Sequence, residues 1–272
     1  MPSQKYDVST GLSARASRNS LMNSQAMLEK AERQIEAGRL DRALASLKLA
    51  MGAGADTYLC TLRIASLYRR MERMSEAMQT AEFATLLDPA RLPGWTILLE
   101  FAQESGDIPR ALAASHTILK LSPRHIPAHV LQASVLMQKG DAPAALKIVN
   151  TLIQLDPECP EHHFRKAQIS QHLSDVGAAI EEFVQVIRID PEGEFADAAR
   201  ESIESLDMFH LSQIATLASE DAVFRAKLCQ NCLEAIREKG YALGPMGERL
   251  LADFCQDELQ ELTFLQSVVR YH

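Results

Sequence analysis

Four short tripeptides recur along this 272-residue chain at one fixed interval: Leu87-Asp88-Pro89, Leu121-Ser122-Pro123, Leu155-Asp156-Pro157 and Ile189-Asp190-Pro191. Their prolines stand 34 residues apart each time. No other feature restricts the fold as strongly. A period of that size marks stacked supersecondary units, each too small to bury an apolar face alone. Each proline also disfavours helix in the residue before it, so the ladder reads as a series of helix ends.

A 34-residue frame with the ladder proline at position 32 begins at Ser24, Tyr58, Leu92, Ile126 and Pro160. Position 20 is then Ala43, Ala77, Ala111, Ala145 and Ala179, and position 8 is Ala31, Ala65, Leu99, Ala133 and Ala167. Small side chains at both positions let two helices approach closely. Position 15 is Gly38, Gly106 and Gly140, with Glu72 and Ser174 in the other frames. A glycine there, followed by Asp107 or Asp141, predicts a helix end, a turn and an N-cap. Pro109 and Pro143 fall just inside the second helices, where a missing N–H costs little. Position 28 is apolar or small throughout: Met51, Thr85, Leu119, Ile153 and Ile187.

These positions resemble the tetratricopeptide repeat, a helix–turn–helix unit of 34 residues, over residues ~24–206. The resemblance implies an all-α fold, a right-handed helical-repeat solenoid with a divergent helical C-terminal region. Two departures stand out. The first frame has Ala55 in place of the ladder proline, inside Gly52-Ala-Gly-Ala-Asp56, which reads as a flexible loop. The family's tryptophan at position 4 occurs only as Trp95, with His129 and His163 at that place in the next two frames.

Three segments follow. Residues 1–22 are polar and without apolar period, and are expected to form a disordered arm. Residues 23–207 hold about five repeats and a capping helix, on which Phe195, Ala198, Ala199, Ile203 and Leu206 share one face. Residues 208–272 break the period and are expected to form a helical appendage of three helices. The first carries Met208, Leu211, Ile214 and Leu217; the second begins after Ser219 and ends at Gly240; the third begins near Pro245 and runs past Leu259 to Val269.

Bulk properties bound the function. A formal charge of −8 argues against nucleic-acid binding, which depends on neutralising phosphates. There is no apolar run of membrane-spanning length and no secretory signal, and five scattered cysteines are a poor disulfide framework. A cytoplasmic, non-membrane protein is the expectation. Between Pro160 and Asp207 stand eleven acids and four bases, read as a solvated outer face or an electrostatic docking surface.

Little in the chain suggests chemistry. Cys229-Gln-Asn-Cys232 has the spacing of half a zinc site, but no second pair lies near it, so helix packing is the expected role. His116, His125 and His129, and His162, His163 and His172, cluster in sequence; His129 and His163 occupy the position where the family packs a large side chain. There is no zincin helix, no phosphate-cradling glycine loop and no nucleophile elbow. No enzyme activity, cofactor or metal is expected.

Repeats of this family bind peptides on their first helices, through positions 2, 5, 9, 12 and 13. Carried onto this chain, the resemblance implies a groove holding Leu62, Arg69, Arg70, Val130, Met137, Phe164, Gln168, Gln171 and His172, with Leu28, Glu32, Ile35, Ser66, Thr96, Glu100, Gln103 and Ser134 on the same side. The lysine–asparagine clamp of chaperone-binding members is missing. The function implied is a scaffold or adaptor that binds a protein or peptide segment, with the oligomeric state left open. A second likeness concerns the tail. Asp221, Phe224-Arg225, Leu228, Ala235, Gly240 to Leu243 and Leu250 look like the small helical leader-like domains of ribosomally made peptide precursors. It implies, as the alternative, an accessory protein recruiting peptide-modification machinery through residues ~219–250.

Overall fold

Position 15 of the frame sets the local geometry of every repeat. Gly38, Gly106 and Gly140 all have positive φ, between 70° and 78°, and so do the two residues that replace glycine, Glu72 and Ser174, both at φ 60°. The backbone therefore makes the same left-handed helix stop five times, paying side-chain strain in two of them. In three repeats an aspartate follows and caps the next helix: the carboxylates of Asp107, Asp141 and Asp175 accept the backbone N–H of Arg110, Ala144 and Ala178, each at 3.1 Å. Arg39 and Arg73 hold that place in the first two repeats and make no side-chain cap.

The computed structural model describes the backbone of residues 8–256 and the side chains of residues 21–256. All regular structure among these residues is helical. The chain divides into two units, residues 1–131 and 132–272. The first contains α1 (Val8–Glu36), α2 (Leu40–Gly52), α3 (Thr57–Arg70), α4 (Met74–Leu87), α5 (Leu92–Glu104) and α6 (Ile108–Leu121), each packed on its neighbours in sequence. The boundary falls within α7 (Ile126–Gln138). The second unit continues with α8 (Ala142–Leu155), α9 (Pro160–His172), α10 (Val176–Ile189), α11 (Glu194–Glu220), α12 (Ala222–Gln230), α13 (Cys232–Glu238) and a helix over residues 245–256, here α14. The helical-repeat class read from the sequence holds.

Close approach within each helix pair is visible in burial. All five position-20 alanines are fully buried, and so are Ala31, Ala65, Ala133 and Ala167 at position 8. Leu99, which replaces alanine there in the third repeat, is buried as well. The large side chain at position 4 has a second task. Trp95 Nε1–H donates to the carbonyl of Pro89 at 3.0 Å, and the Nε2 atoms of His129 and His163 lie 2.8 and 3.0 Å from the carbonyls of Pro123 and Pro157. Each ring ties the start of a first helix to the preceding ladder proline. This gives a partner to the carbonyl of a turn residue just beyond the C-cap of each preceding helix.

Three expectations about segments need correction. Residues 8–22, read as part of a disordered arm, lie in α1; no proline interrupts the stretch, so helix propagates from the packed second half of α1 at low cost. Residues 1–7 lie outside the described residues. Second, the loop expected at Gly52–Asp56 is short and ordered by caps: Ala53 ends α2, Gly54 takes positive φ, and Asp56 accepts the N–H of Leu59 to start α3.

Third, the capping helix and the first appendage helix are one 27-residue helix, α11. Its buried stripe runs Ala196, Ala199, Ile203, Asp207, His210, Ile214 and Ala218, unbroken across the proposed boundary at 207/208. The sequence showed a gap there because two of the buried residues are polar. Beyond α11, Ile214, Ala218, Phe224, Leu228, Ala235, Ile236, Leu243, Leu251 and Cys255 form a small core of their own. The third appendage helix is described only to residue 256, so the stripe from Leu259 to Val269 lies outside the described residues.

Candidate functional site

Six of the nine expected groove residues line two pockets, one in each unit, and Arg69, Val130 and Phe164 line neither. In the first unit a pocket of about 360 Å³ is lined by Glu32, Ile35, Leu62, Arg63, Ser66, Leu67 and Arg70. Leu62 is buried and joins the pocket to a small core of Tyr58, Ala84 and Ile97. Arg69, one turn from the pocket, is engaged elsewhere: its Nε donates to Glu104 at 2.7 Å, and its guanidinium lies 5.8 Å from the centre of the Phe101 ring. Val130, on α7, is half-buried and outside both pockets.

In the second unit a pocket of about 540 Å³ opens between α7 and α9, with α8 beneath. Ala133, Val149 and Ile169, all buried, make its floor. Ser134, Met137, Arg165, Gln168, Gln171 and His172 make its sides and rim, with both glutamines and the histidine exposed. Four of the nine sequence-predicted residues thus meet here: Met137, Gln168, Gln171 and His172. Helical spacing places them, since 168, 171 and 172 share a face of α9 and 134 and 137 share one of α7. Arg165 is held in the wall by Glu161 at 2.6 Å, and its Nη1 donates to the Ser134 hydroxyl at 3.3 Å.

Phe164 does not join this pocket. Its ring packs edge-on against Phe183 of α10, centres 5.5 Å apart, and at a tilt of 41° against Phe195 of α11, centres 5.3 Å apart. It borders the core of Ala167, Ala179, Phe183, Val186, Ala199 and Ile203. The frame puts Phe164 on the groove side of α9, but two aromatic neighbours give it a better place to bury its area.

Several acids of the 160–207 segment are spent internally. Glu182 lies 2.6 Å from His163 Nδ1 and 2.7 Å from Lys166 Nζ; Asp197 pairs with Arg200; Asp175 caps α10. Asp207 is the most consequential, and the sequence reading missed its role. It is 4% exposed, and its two carboxylate oxygens accept the backbone N–H of Gly244 at 2.6 Å and of Gly247 at 3.0 Å. One turn on, His210 Nδ1 lies 2.7 Å from the carbonyl of Ala242, and its ring packs edge-on against Tyr241. Two buried polar residues of α11 therefore fasten residues 241–247, the entry to α14. Buried polar groups on an otherwise apolar stripe are the sequence sign that was available.

The tail residues that look leader-like have structural work in this fold. Asp221 caps α12 by accepting the N–H of Val223 and Phe224, and these bonds hold its carboxyl below the usual carboxylate range. Phe224, Leu228, Ala235 and Leu243 are core. Cys229 ends within α12, and Cys232 opens α13 and packs against the same core.

One further cluster lies where α8 passes into α9. The carboxylate of Asp156, the thiol of Cys159 and the imidazole of His162 have ligand atoms within 4.8 Å of one another. His162 is 3% exposed, and neither of its ring nitrogens has a hydrogen-bond partner. Burial pushes its imidazole below the ordinary histidine range, against the opposing pull of Glu161 and Asp156. A neutral ring keeps one nitrogen lone pair available.

Residues 131–204 match the tetratricopeptide repeat family model. No curated protein matches the chain. Among solved structures, the MamA protein is 14% identical, with a TM-score of 0.54 over 62% of this chain and 93% of its own. A second MamA, from Desulfovibrio magneticus RS-1, is 14% identical, with a TM-score of 0.54 over 63% and 97%. YrrB, described as a TPR protein with an unusual peptide-binding site, is 18% identical, with a TM-score of 0.54 over 64% and 90%. At these identities the likeness establishes the fold. The 34-residue period, the five repeated left-handed stops, the family match over residues 131–204 and the structural likeness agree on one fold, a helical-repeat solenoid of the tetratricopeptide type.

Proposed function

We propose that this protein is a non-catalytic cytoplasmic scaffold, and that it holds a peptide or protein segment in the pocket between α7 and α9. The observation that carries this reading is the make-up of that pocket. An apolar floor of Ala133, Val149 and Ile169 takes one aliphatic or aromatic side chain of the segment. The exposed amides of Gln168 and Gln171 each offer a donor and an acceptor, matching the N–H and C=O of an extended backbone. The one arginine present is already paired with Glu161, so the pocket does not favour a terminal carboxylate or a phosphate. Met137 adds a flexible apolar wall that adapts to the side chain bound.

The alternative, recruitment of peptide-modification machinery through residues ~219–250, has less support. Asp221, Phe224, Leu228, Ala235 and Leu243, behind that likeness, are consumed as cap and core of the small C-terminal cluster, and of the apolar ones Leu250 stays exposed.

The test is a comparative capture from extract of the source organism with the intact protein, with Gln168→Ala/Gln171→Ala, and with Met137→Glu. A partner retained by the intact protein and lost by both variants supports the pocket. It should also bind in purified form at least tenfold more weakly to the variants. Equal binding by all three proteins rejects the pocket as the site. A partner lost only when Val223→Asp is introduced on the exposed face of α12 supports the recruitment reading instead.

A further inference from the structure

We propose that Asp156, Cys159 and His162 form a binding site for a divalent transition-metal ion of the zinc class, at the joint between α8 and α9. The three residues follow the spacing Asp-x-x-Cys-x-x-His and fall on the C-cap of α8, the N-cap of α9 and the first turn of α9. The turn, rather than a single helical face, brings them together.

The strongest indication is His162. A buried imidazole normally gives at least one ring nitrogen to a protein partner, yet both nitrogens here are buried without one. The Cys159 thiol next to it caps no backbone N–H of α9, although it occupies the N-cap position. Sulfur, imidazole nitrogen and carboxylate oxygen together suit zinc, which is borderline between hard and soft ligands. A tetrahedral zinc holds such atoms about 3.3–3.6 Å apart. They already lie within 4.8 Å of one another, so small side-chain rotations close the set. Three protein ligands leave a fourth position for water. On binding, the Cys159 thiol gives its proton to solvent and coordinates as thiolate.

Comparison between repeats shows that the cluster is not forced by the fold. The place of His162 is held by Cys60, Gly94, Ala128 and Ala196 in the other described repeats, small residues in a tight position. The place of Cys159 is held by Thr57, Arg91, His125 and Gly193. Of these, only His125 caps its helix, its Nδ1 accepting the backbone N–H of Ala128; Arg91 and Gly193, like Cys159, make no side-chain cap. At the α8–α9 joint alone, an imidazole replaces a small residue, and it does so beside a thiol and a ladder aspartate. The imidazole does not improve the helix junction, since neither of its nitrogens finds a partner there.

The test uses the full-length protein, stripped with a chelator and kept reduced by a non-thiol reductant, with Co²⁺ as the probe. One equivalent of Co²⁺ should produce a thiolate-to-cobalt charge-transfer band, displaced by Zn²⁺. The band should vanish in Cys159→Ser and in His162→Ala and persist in Cys229→Ser and Cys232→Ser. A wild-type measurement guards against misfolded variants: Zn²⁺ should slow alkylation of Cys159, read by peptide mass spectrometry. Absence of a thiolate band at equimolar Co²⁺ overturns the proposal. So does a band that follows Cys229 or Cys232, or alkylation of Cys159 at one rate with and without Zn²⁺.

Discussion

The contact between Asp207 and the entry to α14 gives a sharp test of how the C-terminal helices are held. Gly244 stands at the N-cap of α14: its carbonyl accepts the N–H of Glu248. Gly247 is three residues on. In an ordinary capping box these two positions satisfy each other's N–H groups with their own side chains. Here both are glycine, and Asp207 supplies both acceptors from α11. The glycines are required by closeness. A Cβ on Gly247 would lie 2.5 Å from Asp207 Cγ, and one on Gly244 would lie 2.4 Å from Ile203 Cγ2.

Hydrogen bonds to a charged group contribute about 1.5–3 kcal/mol each. Asp207→Ala removes two of them and leaves two buried N–H groups, while relieving the cost of burying the carboxylate, for an expected net loss of about 2–4 kcal/mol. Gly247→Ala overpacks the site and should cost about 1–3 kcal/mol. In the double variant the atoms that the new methyl would strike are gone. The second substitution should then cost little, or even gain up to about 1 kcal/mol from helix propensity. The two changes should fall short of additivity by at least about 1 kcal/mol. Native-state hydrogen exchange of amides 244–256 reads this locally, which suits a chain of two units better than a global melt. Additivity within about 0.5 kcal/mol, or unchanged exchange in Asp207→Ala, would refute the arrangement.

Three further outcomes are expected. Ser174→Gly should stabilise the second unit by up to about 1 kcal/mol, because Ser174 sits at φ 60° where Gly140 holds the equivalent turn without strain; a lower urea midpoint would contradict this. Phe164→Ala should cost about 2–4 kcal/mol of folding stability, somewhat less than a fully buried phenylalanine, and leave partner affinity of the folded protein unchanged; the reverse pattern returns Phe164 to the groove. In the presence of chelator, stability should fall as pH drops below about 6.5 and be complete above it. His162 is held below its ordinary range by burial, so the unfolded chain binds the proton more tightly and acid favours unfolding. The groups bearing on it are Asp156, Glu161, His163 and Arg165. His162→Ala should flatten the difference between urea midpoints at pH 7.5 and 5.5, and an unchanged slope contradicts the assignment.

What the sequence made legible follows the range of the forces involved. A left-handed stop, an aspartate cap and a pair of facing alanines are decided within one 34-residue unit, so a frame laid on the sequence finds them. The stop at Glu72 and Ser174 was hidden only because the glycine sign was missing while the turn remained. Contacts between units leave weaker traces. Phe164 has a groove-facing number in the frame, but its burial depends on Phe195, which belongs to the following repeat. The partners of Asp207 are two backbone N–H groups, 37 and 40 residues away. No side-chain pattern announces a backbone donor, and an aspartate among eleven acids reads as surface charge. The same blindness broke α11 in two at its polar core residues.

The Asp156–Cys159–His162 cluster fails for a third reason. Its spacing fits neither the i, i+4 face of a helix nor the paired motifs by which zinc sites are usually read. Its meaning appears only when the junction is compared with its four counterparts in the same chain. There, Asp156 belongs to the ladder and Cys159 stands at a place that tolerates an uncapped residue, whereas His162 displaces a small side chain. A repeat protein carries its own control in this way. What every unit shares is explained by the fold, and what a single unit changes at a cost to the fold needs a cause outside it. The two orphaned nitrogens of His162 are such a cost, and a coordinated ion is the cause that also uses the thiol and the carboxylate beside them.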